Sequence, residues 1–446
     1  MKTIRYIFGI GLLFLFLGYG CKRDKMESYA VEKVHPHPDS LLAQFTNIVK
    51  KGSSGWHATL IPKSGGIYSL FFKLDPSGKL LNMIDLDDNS AKKAKEGSYT
   101  LTATANQAVL SFSEGTYLDV ITHKEGFRTM SADTSYSFRY ASADTIVLLG
   151  NRNGDELKLV NIPAAQIQSY ESGLLSHSLT SLSEYMEQKN FHSFHLSGVG
   201  DIELSIDSAN RTAFFFYGVN GLPKMETNQF YYGINQVLLK YPTRIGSHLI
   251  KGFSYNPTQK TYAVLSNGAN LDLRGTNSPT VPLHLLLGNG LAPYVSLPSP
   301  KLIQALPNWS TDFGAIFEES SQKLSTIGAG FLMLSFAFNI ETQQMSLNVL
   351  FSLSGNVYQG SYPHSYTKTK DGVYKFTALP LNPLIVVQGN ANIIKAHMEP
   401  VLALVKTDQF SLTTFEVGTA FLAQMTSIER PNIYFTGYPL SPDDIL

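Results

Sequence analysis

Two hydrophobic periods alternate along this chain. Leu41, Leu42, Phe45, Ile48 and Val49 recur at helical spacing after Asp39 and Ser40, and Lys50, Lys51 and Gly52 close the run as basic residues and a glycine close a helix. Beyond Trp56 the period drops to two. Tyr68, Leu70, Phe72 and Leu74 share one face, Asp75, Pro76, Ser77 and Gly78 make a turn, and another strand begins at Lys79. Short strands are predicted again at residues 99–104, 109–112, 117–121, 136–140, 145–149 and 156–162, with Gly and Asn between several of them.

Residues 163–189 return to helical spacing, carried by Ile167, Tyr170, Leu174, Leu175, Leu179, Leu182 and Tyr185. A hairpin follows: Ile202, Leu204 and Ile206 alternate, residues 207–210 turn, and residues 212–217 return. A third helix-then-hairpin unit is predicted from a helix at 311–324, with Leu332, Leu334, Phe336, Phe338 and Ile340 on one strand and Met345, Leu347, Val349 and Phe351 on the next. Leu70, Ile202 and Leu334 are equally spaced, which suggests tandem units of domain size; a chance recurrence of a common arrangement is the competing reading. Pro279, Pro282, Pro293, Pro298, Pro300 and Pro307 mark a long connection in the second half. The expectation is a mainly β protein: antiparallel sandwich or barrel-like sheets with a few short helices, in two or three domains. Residues 39–162 form the first, and residues 163–446 form a β-rich remainder that splits near 300.

The N-terminus reads differently. Lys2 and Arg5 precede an apolar run from residue 6 to 17, too short for a comfortable membrane span and followed by polar sequence after Cys21. Cys21 is the sole cysteine of the chain and stands behind Leu17, Gly18, Tyr19 and Gly20, in the manner of a bacterial lipobox. Residues 1–20 are thus expected to be a lipoprotein signal peptide, with lipidation at Cys21 and residues 21–38 as a polar tether. A plain secretory signal with an accidental cysteine is the alternative. Two or three acyl chains would anchor the body stably, since one chain binds only marginally. His35 and His37 lie in that tether between prolines, a poor setting for a closed metal site.

The stretch from the first helix through Gly55 and Trp56, the strand at 68–74, Asp75-Pro76-Ser77-Gly78, the strand at 108–112 and the Asp144-to-Gly150 strand resembles one family. It is similar to the Bacteroidota lipoproteins grouped as domain-of-unknown-function family 4302. Leu74 stands where that family usually has Phe before Asp75. The resemblance implies a cell-envelope lipoprotein, on the outer membrane, and carries over no functional residue because the family has no established chemistry.

Composition narrows the chemistry. In 446 residues, 35 Lys and Arg balance 35 Asp and Glu, so no basic footprint for nucleic acid exists. One cysteine excludes an internal disulfide and a Cys-based zinc site. Asp85, Asp87, Asn89 and Glu96 stand at calcium-loop offsets, but Ser90 replaces the turn glycine and Lys92, Lys93 and Lys95 bring positive charge, so a solvated loop competes with a calcium site. Trp56 is a candidate ligand contact or a core residue. His192 and His195, three apart in a strand, point to opposite faces and do not make a zinc pair. Ser208, behind Asp207 in a predicted turn, is a candidate O-glycosylation position. No nucleophile elbow, His-Glu-x-x-His, phosphate loop or dinucleotide fingerprint occurs. The expected function is non-catalytic glycan or peptide capture, or scaffolding of an envelope protein, with no cofactor. An envelope glycoside hydrolase or other carboxylate-based hydrolase is the alternative, because two carboxylates suffice for one.

Overall fold

The computed structural model describes residues 37–445 apart from 53, 105, 124–131 and 302–305. Cys21, His35 and the apolar run before them lie outside the described residues. Helix α1 (Pro38–Lys51) starts at His37, whose ring accepts from the Asp39 N–H, and its buried Phe45 and Val49 face the first sheet. Eight strands follow: β1 (Trp56–Ile61), β2 (Tyr68–Leu74), β3 (Lys79–Ile84), β4 (Lys95–Ala103), β5 (Ala108–Phe112), β6 (Ser135–Ala141), β7 (Thr145–Gly150) and β8 (Glu156–Asn161). Each pairs antiparallel with the next, and β8 returns to β1 through Trp56↔Asn161 to Ile61↔Glu156, closing a barrel. Its interior is filled by alternating side chains such as Ala58, Leu60, Leu70, Phe72, Leu110, Tyr136, Leu148 and Leu157.

Two short helices interrupt this meander. α2 (Asp88–Lys92) is held by a capping box between Asp87 and Ser90, and α3 (Tyr117–His123) begins at Thr116, whose hydroxyl accepts from the Asp119 N–H. The strand expected at 117–121 is therefore a helix. Tyr, Val, Ile and Thr favour strands intrinsically, yet Leu118 and Ile121, three apart, both reach the core only in helical geometry.

The second unit opens with α4 (Ala164–Glu171) and α5 (Leu174–Glu187), separated by Gly173 at φ +82°, so the helical stretch expected at 163–189 is two helices. Its strands are β9 (Phe191–Leu196), β10 (Gly200–Asp207), β11 (Thr212–Val219), β12 (Leu222–Gly233), β13 (Gln236–Ile245), β14 (His248–Asn256), β15 (Thr261–Ser266), β16 (Ala269–Asp272) and β17 (Arg274–Thr276). β16 pairs with β15 and β17 with β9. One strand broken at Leu273 thus joins both edges of the sheet.

Residues 277–293, with the four-residue α6 (Leu283–Leu286), lead to the third unit. There β18 (Tyr294–Pro298) precedes α7 (Thr311–Ser325), followed by β19 (Ala329–Asn339), β20 (Gln344–Leu353), β21 (Asn356–Lys368), β22 (Val373–Ala378), α8 (Val386–Ile394), α9 (Glu399–Thr407), β23 (Gln409–Val417), β24 (Ala420–Ser427) and β25 (Tyr434–Gly437). Ser296 and Tyr438 exchange backbone bonds of 2.9 and 2.8 Å, so this sheet too meets itself, at its last residues. Leu70, Ile202 and Leu334 fall in β2, β10 and β19, the second strand of each sheet, although the helix lies before the first strand in two units and after it in the third.

The first barrel keeps its own core, but its outer face packs into the core of the second unit. Phe71 and Met83 of the first pack with Tyr170, Phe230 and Tyr232 of the second, and the Phe71 ring stacks on Tyr170 at 4.7 Å. Arg211, at φ +51° where β11 begins, reaches across: Nη1 donates to Asp85 Oδ2 (2.8 Å) and Ile67 O (3.1 Å), Nη2 donates to Asp85 O, and the guanidinium lies 4.5 Å from the Tyr68 ring. Asp85 Oδ1 accepts from Ser69 N and Oδ2 also accepts from Tyr232 N.

Candidate functional site

That clasp decides the fate of the calcium candidates. Asp85 is fully buried with both carboxylate oxygens bonded, the Asp87 side chain caps α2, Asn89 lies inside that helix, and Glu96 belongs to β4. The structure does not bring the four together, and among the described residues no group of three His, Cys, Asp or Glu could hold a metal ion. Trp56 is 2% exposed inside the first barrel, beneath Gly52, so it faces core rather than a ligand. His192 is buried, bonded through Nε2 to Tyr185 O, while His195 is exposed and paired with Asp201 at 2.9 Å. Ser208 is exposed in the β10–β11 turn. Asp133 and Asp155 lie together in the first barrel, but Asp133 accepts the N–H groups of Arg152, Asn153 and Gly154, and Asp155 those of Lys63 and Asp133. Those two carboxylates hold loops.

The described residues converge elsewhere, where the second and third barrels clamp residues 277–293. Glu203 stands between Ile202 and Leu204 on β10, so it faces out of its own barrel as alternation demands. The connection covers it: Oε2 accepts from Thr280 N (3.1 Å), Thr280 Oγ1 (3.2 Å) and Val281 N (3.3 Å), while Oε1 is buried without a hydrogen-bond partner. Burial pushes this carboxyl up to about 7 against the pull of those three donors, with nearby Asp201 adding to the rise.

On the other side of the connection His284 of α6 is also buried, its Nε2 unpartnered. Burial, and then the Lys368 ammonium, lower its pKa to about 4. Lys368 donates to the His284 carbonyl at 3.2 Å and is itself lowered by burial. Glycines permit this approach: a Cβ on Gly372 would meet the His284 ring at 2.3 Å, and one on Gly218 would meet Leu285 at 2.5 Å. Further clamps are Asn190 Nδ2 donating to Thr419 O (2.6 Å), Ser278 Oγ donating to Glu416 Oε1, and an edge-to-face contact of Phe191 with Phe421 at 5.2 Å.

Two cavities flank the clamped segment. One of about 510 Å³ is walled by Gly218, Pro282, His284, Lys370, Asp371 and Thr413. The other, about 350 Å³, is walled by Phe191, His192, Glu203, Phe216, Leu286 and Leu291 among others. Both sizes suit a small ligand or one unit of a chain molecule. Sequence reasoning missed Glu203 and His284; the only pointer was the proline crowding that begins at Pro279.

Among the described residues no helix is long and apolar enough to cross a membrane. No curated protein matches the chain. Residues 39–257, the first barrel and the second through β14, match the model of the family described as Domain of unknown function (DUF4302), which supports the family that the first-barrel residues resemble.

Proposed function

We propose that this chain is a lipid-anchored cell-envelope protein, on the outer membrane of a Bacteroidota cell, that captures a glycan or peptide at the junction of its second and third barrels without turning it over. The observation that carries this reading is the pair of cavities around residues 277–293, bordered by two buried polar atoms without partners. Clefts between folded units, with perturbed titratable groups beside them, are where ligands usually sit. The barrel interiors are filled with side chains, and what favours the junction is that its cavities border Glu203 and His284, each with a buried polar atom lacking a partner.

A carboxylate-based hydrolase is the second reading, favoured by Glu203, whose carboxyl titrates where a general acid would. Glycoside hydrolysis uses two carboxylates about 5–10 Å apart across the scissile bond. Among the residues lining the smaller cavity Glu203 is the single carboxylate, and Asp371 is the single one lining the larger.

A glycan, peptidoglycan and peptide array probed with the full chain tests the capture. Saturable retention that weakens about tenfold or more in Phe216→Ala is expected, since an aromatic wall residue supplies much of the contact area in such a site. Turnover of any arrayed glycan would replace capture with hydrolysis. For the anchor, a palmitate analogue should label the wild type and leave Cys21→Ser unlabelled; equal labelling of both would remove it.

A further inference from the structure

Between β22 and β23 the third barrel does not turn back at once. Residues 379–408 make an excursion through α8 and α9 whose inner side chains, Ala391, Ile394, Met398, Val401, Leu404 and Val405, join the barrel core. Its outer side is apolar too. Leu384 is 90% exposed, Val386 76% and Ile393 68%. Exposure of this degree means a projecting point, with almost no neighbour around Leu384.

The point is built, not frayed. Asn382 N donates to Gln388 Oε1 (2.7 Å) and Leu384 N donates to Asn382 Oδ1 (3.1 Å), which fixes the turn. Behind it, Tyr362 donates to Ala391 O (2.9 Å) and Asn390 Nδ2 donates to Gln359 O (3.0 Å). Gly360 lets the helix press on β21, since a Cβ there would lie 3.1 Å from Ala391 Cα.

We infer that this aliphatic point is a second membrane contact, entering the surface of the bilayer to which the tether holds the protein; the inference rests on the anchor proposed at Cys21. Three features select a lipid surface over a protein partner. The most exposed side chains of the excursion are Leu, Val and Ile, and residues 379–398 hold none of the Trp, Tyr and Arg that dominate protein hot spots. The shape is a projection, which sinks into acyl chains but fits a protein only through a matching pocket. The charge suits anionic headgroups: the excursion carries no Asp or Glu from residue 379 to 398, and Lys395, directly after α8, is exposed. The tether supplies proximity. Residues 21–36 could extend to roughly 50 Å, so the body is free to settle on its own membrane. Because the turn is already fixed by hydrogen bonds, insertion orders little new backbone.

The test uses the full chain, expressed with its leader and reconstituted into vesicles of phosphatidylethanolamine and phosphatidylglycerol. A thiol introduced by Leu384→Cys is labelled with a nitrobenzoxadiazole dye, and the label is mapped by peptide analysis. Thr258→Cys, on an exposed turn of the second barrel, serves as the control. At position 384 the emission should shift to the blue and be quenched by lipids with brominated acyl chains; at position 258 it should stay aqueous. Adding Val386→Asp and Ile393→Asp should abolish the quenching with an unchanged circular dichroism spectrum. Aqueous emission at 384 in vesicles would overturn the inference, and so would a blue shift that depends on protein concentration without lipid, which would mean that copies pair through this face. The unsubstituted chain reports the anchor separately, since Cys21 takes up dye only if it is not lipidated.

Discussion

Arg211→Met should lower the free energy of unfolding by about 3–5 kcal/mol, because it strands the buried Asp85 carboxylate without its cation. Asp85 would keep the Ser69 and Tyr232 N–H groups and lose the guanidinium, while Ile67 O and Asp85 O would lose their donor. Removing both charges, as Asp85→Asn with Arg211→Met, should recover much of that loss, since the costly state is the unpaired charge and not the absent pair. Denaturant unfolding of the full chain measures both variants. If the single variant loses less than about 1 kcal/mol, or the double loses more than the single, the clasp is not what joins the first two barrels.

The second large effect is one of pH. Glu203 titrates near 7 in the folded chain and near 4.5 when unfolded, so the folded state binds its proton more tightly. The resulting stability is fully present below pH 4.5 and is lost as pH rises through 7, by about 3 kcal/mol in all. His57 and His284 act in the opposite sense. Both are held near 4 by burial, so the folded state favours them neutral and stability falls as pH drops from 6.5 toward 4. The clean measurement is therefore the difference between wild type and Glu203→Gln, whose amide oxygen can still accept from Thr280 and Val281. Gln should be the more stable at pH 8, and the gap should close by pH 4.5. A gap independent of pH would mean that Glu203 is ionised throughout and that the clamp on residues 277–293 is an ordinary carboxylate site.

The architecture was legible where neighbours in sequence are neighbours in space. Alternation at 68–74, 202–206 and 332–340 predicted strands, and antiparallel pairing with the next strand follows from short turns. Closure was not legible, because it depends on pairs distant in sequence: β1 with β8, β9 with β17, Ser296 with Tyr438. α8 was missed because its apolar residues serve an inner core, through Ala391 and Ile394, and an outer point, through Val386 and Ile393, at once; α9 was missed although Val401, Leu404 and Val405 are spaced as a helical face.

The site was hidden by the same non-locality. Glu203 reads as the solvent-facing member of an alternating strand, and only Thr280 and Val281, arriving from 77 and 78 residues away, bury it. Asp85 fits a calcium spacing by eye, yet its partner Arg211 lies 126 residues on. In both cases a charged residue at a polar position was given its role by a segment that local pattern cannot connect to it.

The meeting of Ser296 with Tyr438 fixes an order of events. The strands of the first two units are complete once residue 276 has been made, but β18 waits for a partner 142 residues further along the chain. Until Tyr438 has been made, the third unit keeps two unpaired strand edges on offer, the condition in which chains associate wrongly. The last sheet therefore ripens after the first two, and a chain cut before Tyr438 would leave it open.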